Sequence, residues 1–250
     1  MDRVLLTNDD GINAPGIMAA YKSLKKDFQV IVVAPESEQS AVGHAISISN
    51  PLRVRKLNGN ISGYAVQGTP ADCVKIAVRA LLKHKPDVIV SGINQGPNLA
   101  MDIIYSGTVS AATESAILGI PSVAVSLVSY QSKDFFVGAE FIRRFVKVVV
   151  KNKPPKGTIF NINVPAINKK MIKGVRITKQ GKSRYVETFD KRTDPRGKIY
   201  YWLAGEMIEF EETQDDDTYA IKNGYISVTP IRFEVTNYQF IKEMERWNLK

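Results

Sequence analysis

The sequence is poor in the residues that most often bind soft metals or cross-link chains. It has one cysteine, Cys73, and two histidines. An internal disulfide framework is therefore excluded, and a conventional structural zinc site is disfavoured. Cys73 lies in a stretch with helical apolar spacing, which predicts a buried structural thiol rather than a nucleophile.

Long apolar runs are missing as well. No stretch of about 18 apolar residues occurs, so the sequence predicts no membrane span. The first predicted strand begins at Arg3, so the sequence predicts no signal peptide. Together with the low cysteine content, these absences predict a cytoplasmic protein.

Three signatures of common α/β enzymes are also lacking. The sequence has no G-x-x-x-x-G-K-[ST] loop and no G-x-G-x-x-G turn after its first apolar run. A P-loop NTPase and a dinucleotide-dependent oxidoreductase are thus disfavoured. It has no G-x-S-x-G elbow either, so nothing supports an α/β-hydrolase.

What the chain does have is a regular alternation of strand and helix patterns over its first two-thirds. This alternation predicts a mostly parallel sheet with helices on both faces. The predicted strands cover residues 3–7, 29–34, 87–91, 122–127 and 159–164. The predicted helices cover residues 15–26, 70–82, 108–118 and 135–150, the last capped by Asp134.

The domain organisation follows from where this alternation changes. Two prolines within 151–156 mark a boundary, which predicts a core over 1–155 and a β-rich extension over 156–250. The extension completes the core, carries strands at 199–203 and 225–229, and ends in a helix at 237–247. The pattern over residues 45–66 predicts a β insertion. The acidic run 215–217 predicts a solvated loop.

The net charge of +9 favours anionic partners. Residues 151–200 carry 14 Lys or Arg against three acids. A phosphorylated small molecule, a nucleic acid or a plain solvated surface would each suit this charge. Nucleic acid is disfavoured, because the aromatic residues of this region could equally form a hairpin core or a subunit interface.

The first predicted strand ends in Asn8, Asp9, Asp10 and Gly11. Ligands of open α/β sheets bind beyond the carboxyl ends of the strands, and paired carboxylates there suit a hard cation. Gly11 permits the turn that would let both acids reach one ion. An Asx-turn that caps the next helix is the alternative interpretation.

Three further loops follow predicted strands and carry polar side chains. Ser40 could bind a metal, and His44 could act as a general acid or base; structural hydrogen bonds are the alternative for both. Asn94 offers a neutral oxygen ligand. Residues 105–110 begin a helix whose free N–H groups could bind an anion, although ordinary capping explains the same residues. Oxygen ligands beside an anion site favour phosphomonoester hydrolysis.

Taken together, these segments resemble the SurE family, the stationary-phase survival protein E nucleotidases. The resemblance runs from residue 3 to Ile231 and rests on five motifs in order. The motifs lie at residues 4–12 (V-L-L-T-N-D-D-G-I), 33–44, 68–74 (G-T-P-A-D-C-V), 90–98 (V-S-G-I-N-Q-G-P-N) and 102–109.

The resemblance implies a Rossmann-like core and a metal-dependent phosphatase that acts on nucleoside 5′-monophosphates. It implies one divalent cation per subunit, Mg²⁺ or Mn²⁺. The implied metal ligands are Asp9, Asp10, Ser40 and Asn94, with catalytic roles for Asp9, Asp10 and Asn94. The implied phosphate pocket consists of Asn98, Ser106, Gly107 and Thr108. Ala100 departs from the pattern, which commonly has glycine there.

The resemblance also implies a homodimer or homotetramer in which C-terminal segments are exchanged. Activity on 3′-nucleotides and polyphosphate is left open. A water held by the metal is the preferred nucleophile, with an aspartate as the alternative. Two other functions compete: a nucleotide- or polyphosphate-binding protein without turnover, and a Ser–His hydrolase built on Ser40 and His44.

Overall fold

The computed structural model describes residues 1–57, 61–208, 210 and 212–248. Its strands are β1 (Arg3–Thr7), β2 (Gln29–Pro35), β3 (Arg53–Lys56), β4 (Gly63–Gln67), β5 (Val88–Gln95), β6 (Ser122–Val128), β7 (Thr158–Pro165), β8 (Gly174–Ile177), β9 (Arg184–Thr193), β10 (Ile199–Ile208) and β11 (Tyr225–Arg232). Its α-helices are α1 (Pro15–Leu24), α2 (Pro70–Ile76), α3 (Gly107–Ile117), α4 (Phe136–Asn152), α5 (Asp217–Lys222) and α6 (Tyr238–Met244).

Nine of these strands form one sheet in the order β3-β4-β2-β1-β5-β6-β7-β11-β8. From β4 through β7 neighbouring strands run parallel. Strand β3 pairs antiparallel with β4, and β11 pairs antiparallel with β7. The fold prediction of a mostly parallel α/β sheet is confirmed.

Helices cover both faces of this sheet. Side chains of successive strand residues point to opposite faces, so neighbouring residues of one strand pack against different helices. Leu6 packs in one apolar cluster with Ile17 of α1 and Ile142 of α4. Its neighbour Leu5 packs in a second cluster that includes Cys73 of α2 and Ala111 of α3. The thiol of Cys73 is fully buried, as the sequence predicts. In the part of the chain that the structure describes, no helix is long and apolar enough to span a bilayer.

The structure refines two predictions for the first half of the chain. The β structure predicted over residues 45–66 is present as β3 and β4, which extend the edge of the main sheet; residues 58–60 of that segment lie outside the described residues. The helix predicted over 70–82 is present as α2, which ends at Ile76 and is followed directly by a π-helical turn over Ala77–Leu81.

The C-terminal part supplies three strands of the same sheet and an antiparallel hairpin. Strands β7, β8 and β11 belong to the main sheet, while in the described part of the chain β9 and β10 pair only with each other. Every residue of β9 is exposed. Helix α6 lies within the range predicted for a terminal helix. The division into residues 1–155 and 156–250 stays a prediction.

The solvated loop predicted over residues 215–217 is wrong for two of its three acids. Asp216 is 5% exposed and Asp217 is fully buried. The carboxylate of Asp217 accepts hydrogen bonds from the backbone N–H groups of Ala100, Gly181 and Thr218. Three backbone donors can hold a carboxylate away from water, which a charge pattern alone does not reveal.

Candidate active site

The candidate site lies at the carboxyl ends of β1, β2 and β5. In the sheet, Thr7 at the end of β1 is in register with Ser91 of β5. The loops that follow β1 and β2 are joined, because the backbone N–H of Gln39 donates to the carbonyl oxygen of Asp9 over 2.8 Å. The topology therefore brings together the loops in which the sequence places candidate ligands.

Asp9 lies against the N-terminus of α3. It is 4% exposed, and its Oδ1 accepts a hydrogen bond from the hydroxyl of Thr108. A Cβ at Gly107 would lie 2.8 Å from the Cβ of Asp9 and 2.9 Å from its Oδ2. A side chain at position 107 would thus push Asp9 away, so glycine is required for this contact.

Asp10 points toward the end of β5, where its Oδ2 accepts the backbone N–H of Gln95, the last residue of that strand, over 3.2 Å. Asp9 and Asp10 are the two central residues of a turn that Asn8 and Gly11 close. Asn8 donates from its side-chain amide to the carbonyl of Gly11 over 2.8 Å, and Gly11 has a φ of 96°. Asn8 and Gly11 therefore close the turn, and neither aspartate side chain is needed for it.

The pKa values of both neighbouring carboxyl groups are raised. Burial raises the pKa of Asp9, against the hydrogen bonds from Thr108. Burial and the adjacent charge of Asp9 raise the pKa of Asp10 to about 7. An acid pair of this kind is costly to ionise without a cation, and a divalent ion would remove that cost.

The remaining predicted ligands lie near this pair. Ser40 is exposed and donates to Oε1 of Glu38 over 2.6 Å; it lines the same cavity as Asp10, of about 470 Å³. The amide nitrogen of Asn94 donates to the carbonyl of Gly96 over 2.9 Å, which leaves its Oδ1 as the potential ligand. Among the described residues, no cluster of three His, Cys, Asp or Glu could hold a metal.

This donor set fits a hard divalent cation. Two carboxylates with neutral oxygens from amide and hydroxyl groups are the ligands that Mg²⁺ and Mn²⁺ accept. In addition, Oδ1 of Asn8 is buried without a hydrogen-bond partner. A buried oxygen of this kind beside two acids is consistent with a site built to face a cation.

The predicted phosphate-pocket residues have well-defined contacts. Ser106 is the N-cap of α3, where its hydroxyl accepts the N–H of Val109 over 3.1 Å. The capping interpretation therefore holds for Ser106. Thr108 contacts Asp9 through both its side chain and its backbone. The N-terminus of α3 thus faces the carboxyl group of Asp9, whose ionised form the helix dipole favours.

Asn98 is held by a network that the sequence analysis missed. Its backbone N–H donates to Asn163 over 2.9 Å, and its carbonyl accepts the amide groups of Asn161 and Asn163. Its own side chain donates to the hydroxyl of Ser126 over 2.8 Å. The available signal was a pair of asparagines, two residues apart, within the apolar strand β7.

Ala100 occupies a backbone conformation that favours glycine. Its φ is 49°, and the side chain is 2% exposed. This left-handed conformation gives the physical reason why a glycine suits that position. Position 100 takes part in the structure through its backbone, because the N–H of Ala100 donates to Asp217. The departure from the family pattern therefore removes no candidate ligand.

Ser40 and His44 do not form a nucleophile–base pair. Nε2 of His44 contacts Oε2 of Glu114 on α3 at 3.0 Å, whereas Ser40 donates to Glu38. Lys75 of α2 donates to the other oxygen of Glu114 over 2.6 Å. Burial acts to raise the pKa of Glu114, but its hydrogen bonds to His44 and Lys75 outweigh it and lower that pKa. His44 therefore anchors its loop to α3.

Asp10→Asn is expected to raise the melting temperature of the metal-free protein near pH 8. The pKa of Asp10 rises from 3.8 to about 7 on folding. Folding therefore favours its protonated form, and stability is lost as the pH rises from about 4 to about 7. Asparagine stays uncharged and avoids that loss. Thermal unfolding in EDTA checks this prediction. The melting temperature of Asp10→Asn should exceed that of wild type at about pH 8 and equal it at about pH 4. A difference in melting temperature that does not change with pH would contradict the prediction.

Comparisons with known proteins agree with this geometry. The family model of the survival protein SurE matches residues 4–187. A relative named 5′-nucleotidase SurE from Syntrophobacter fumaroxidans is 49% identical over 249 residues, which cover 99% of this chain and 100% of that protein. A relative of the same name from Syntrophus aciditrophicus is 52% identical over 239 residues, or 94% of this chain and 90% of that protein.

A solved structure leads to the same family. The crystal structure of the SurE protein from Aquifex aeolicus superposes with a TM-score of 0.86 at 43% sequence identity. The match covers 97% of this chain and 98% of that chain. With a family model and full-length relatives in agreement, this chain belongs to the SurE family.

Proposed function

We propose that this protein is a metal-dependent 5′-nucleotidase that hydrolyses nucleoside 5′-monophosphates to nucleoside and phosphate. The observation that carries the proposal is the pair of adjacent carboxylates, with Asp9 buried against the N-terminus of α3 and Asp10 half-buried beside it. The names of the relatives, 5′-nucleotidase SurE, support the substrate class. One divalent cation per subunit, Mg²⁺ or Mn²⁺, suits the donor set.

Each part of the site has a role in this reaction. Asp9, Asp10, Ser40 and Asn94 would hold the cation, which when bound supplies positive charge for the phosphoryl oxygens. The N-terminus of α3, at Gly107 and Thr108, favours an anion through its dipole and backbone N–H groups. Thr108 orients Asp9, and the network of asparagines fixes the loop at Asn98. The chain thus supplies position and electrostatic stabilisation.

Phosphate release tests the proposal directly. Purified protein is incubated with a panel of nucleoside 5′-monophosphates in Mg²⁺, Mn²⁺ or EDTA, and inorganic phosphate is measured. The proposal requires release that EDTA abolishes and added metal restores. Nucleotide binding without release under any metal would favour the alternative of a binding protein. Nucleoside 3′-monophosphates and polyphosphate in the same panel define the substrate range.

His44→Ala is expected to keep turnover within about ten-fold of wild type. In the structure His44 contacts Glu114 and not Ser40, so its loss should weaken a loop contact without removing a base. A Ser–His hydrolase would instead lose about four orders of magnitude or more. Steady-state kinetics on one nucleotide decide between these outcomes, with Ser40→Ala measured alongside.

We also infer a homodimer or homotetramer in which C-terminal segments are exchanged. The hairpin of β9 and β10 pairs with no other strand among the described residues. It carries large exposed side chains, at Tyr185, Phe189, Tyr200, Tyr201, Trp202 and Leu203. Light scattering after size exclusion tests this, and a monomer at micromolar concentration would refute it. Strongly salt-dependent binding of an oligonucleotide would instead assign the hairpin to nucleic acid.

A further inference from the structure

Tyr130 places an exposed aromatic ring in the cavity of the candidate site. The residue follows β6 and is 75% exposed. It lines the cavity of about 470 Å³ that Asp10 and Ser40 also line. A cavity of this size falls within the range of about 300–1,000 Å³ that is typical of small-molecule sites. The ring and the candidate metal ligands therefore face one common space.

The end of β5 and the residue that follows it hold Tyr130 in this place. The side-chain amide of Gln95 donates to the carbonyl oxygen of Tyr130 over 2.8 Å. The next residue, Gly96, donates its N–H to Leu127 over 3.0 Å. A Cβ at Gly96 would lie 2.6 Å from Cε1 of Tyr130, so the ring rests on glycine backbone. Tyr130 is thereby tied to the same end of β5 that holds Asp10 through the N–H of Gln95.

The cavity has a different chemical character in its two parts. Asp10, Glu38 and Ser40 contribute oxygen atoms, whereas Tyr130 and Phe135 contribute aromatic surface. A ligand that suits both parts carries a phosphate, which a cation can bind, and a flat apolar group, which can stack. A nucleoside monophosphate has this composition, and inorganic phosphate does not.

We propose that Tyr130 stacks against the nucleobase of the substrate and thereby sets the preference for nucleotides over phosphate esters that lack a base. The inference rests on the proposed nucleotidase function. Every base has a π-face, so a stacking platform tolerates all four bases and favours the larger purines. We expect broad base tolerance for this reason.

The experiment compares two substrates that differ only in the base. The value of kcat/KM is measured for a purine nucleoside 5′-monophosphate and for ribose 5-phosphate, with wild type, Tyr130→Ala and Tyr130→Phe. Phe136→Ala is the matched control, since Phe136 is 58% exposed and does not line this cavity. Competitive inhibition by the free nucleoside is measured on the same variants.

Tyr130→Ala should lower kcat/KM for the nucleotide by about 5- to 100-fold, as expected for the loss of one base–aromatic stack. Ribose 5-phosphate should change less than two-fold, Tyr130→Phe should keep most of the nucleotide preference, and the nucleoside should inhibit Tyr130→Ala more weakly. Equal losses on both substrates, or no loss on either, would overturn the stacking role. Absence of turnover by wild type would instead refute the nucleotidase function itself.

Discussion

Asp10→Asn is expected to lower kcat/KM for nucleoside monophosphates by at least about 10²–10³-fold, the loss typical when one transition-state contact is removed. The substitution keeps the shape and the contact with the N–H of Gln95. It removes one of the two charges on which cation binding depends. The same variant should be more stable without metal, so lost activity cannot be attributed to unfolding.

Metal binding gives a second readout for the same variant. Mg²⁺ or Mn²⁺ should raise the melting temperature of wild type and leave that of Asp10→Asn unchanged, because a ligand stabilises only the state that binds it. Asp87→Asn is the matched control, since Asp87 accepts the N–H of Arg3 at the opposite end of the sheet. Folded Asp10→Asn with wild-type turnover, once contaminating phosphatase is excluded, would refute the metal-centred site.

The parallel core could be predicted from the sequence because each of its strands is a short apolar run. Strands such as β1, β5 and β6 are buried on both faces between helices. Burial on both faces selects continuous apolar residues, and the intervening helices keep their own spacing. The local sequence pattern and the buried environment agree in this region, so the order of strands and helices along the chain can be predicted from the sequence.

The sequence pattern predicts the hairpin strand β9 less well than the core strands. All its residues are exposed in the described chain, so no alternation of apolar and polar residues marks it. Strand β8 has four residues, and α5 has six. Elements this short leave too few positions for a period to be read.

The sequence predicts candidate ligands but not the groups that support their loops. Asp9 and Asp10 follow β1 and Asn94 lies near the end of β5, and the carboxyl ends of parallel strands meet at one edge of the sheet. Thr108 and Asn98 stay predicted pocket residues, and the structure adds their contacts. The supports Asn163 and Asp217 lie 65 and 117 residues away in sequence from the groups that they hold. Only the tertiary fold brings such groups together.

Asp217→Ala is the second large effect expected, and it concerns stability. The carboxylate of Asp217 is fully buried and accepts three backbone N–H groups, from Ala100, Gly181 and Thr218. Alanine leaves all three buried donors without a partner, and each such loss costs about 1–3 kcal/mol. The free energy of unfolding should fall by at least about 3 kcal/mol. The melting temperature should fall by about 2–4 °C for each kcal/mol.

Neighbouring substitutions show whether those hydrogen bonds cause the loss. In Asp217→Asn, the remaining side-chain oxygen can still accept the N–H groups of Gly181 and Thr218. The new NH₂ group would face the backbone N–H of Ala100, so that hydrogen bond is lost. We therefore expect a stability between those of wild type and Asp217→Ala. Asp215 is an exposed acid of the same run, so Asp215→Ala should change stability by less than about 0.5 kcal/mol. Urea unfolding measures all three variants. Equal effects at positions 215 and 217 would show that the acidic run is solvated and that Asp217 does not hold the loop at Ala100.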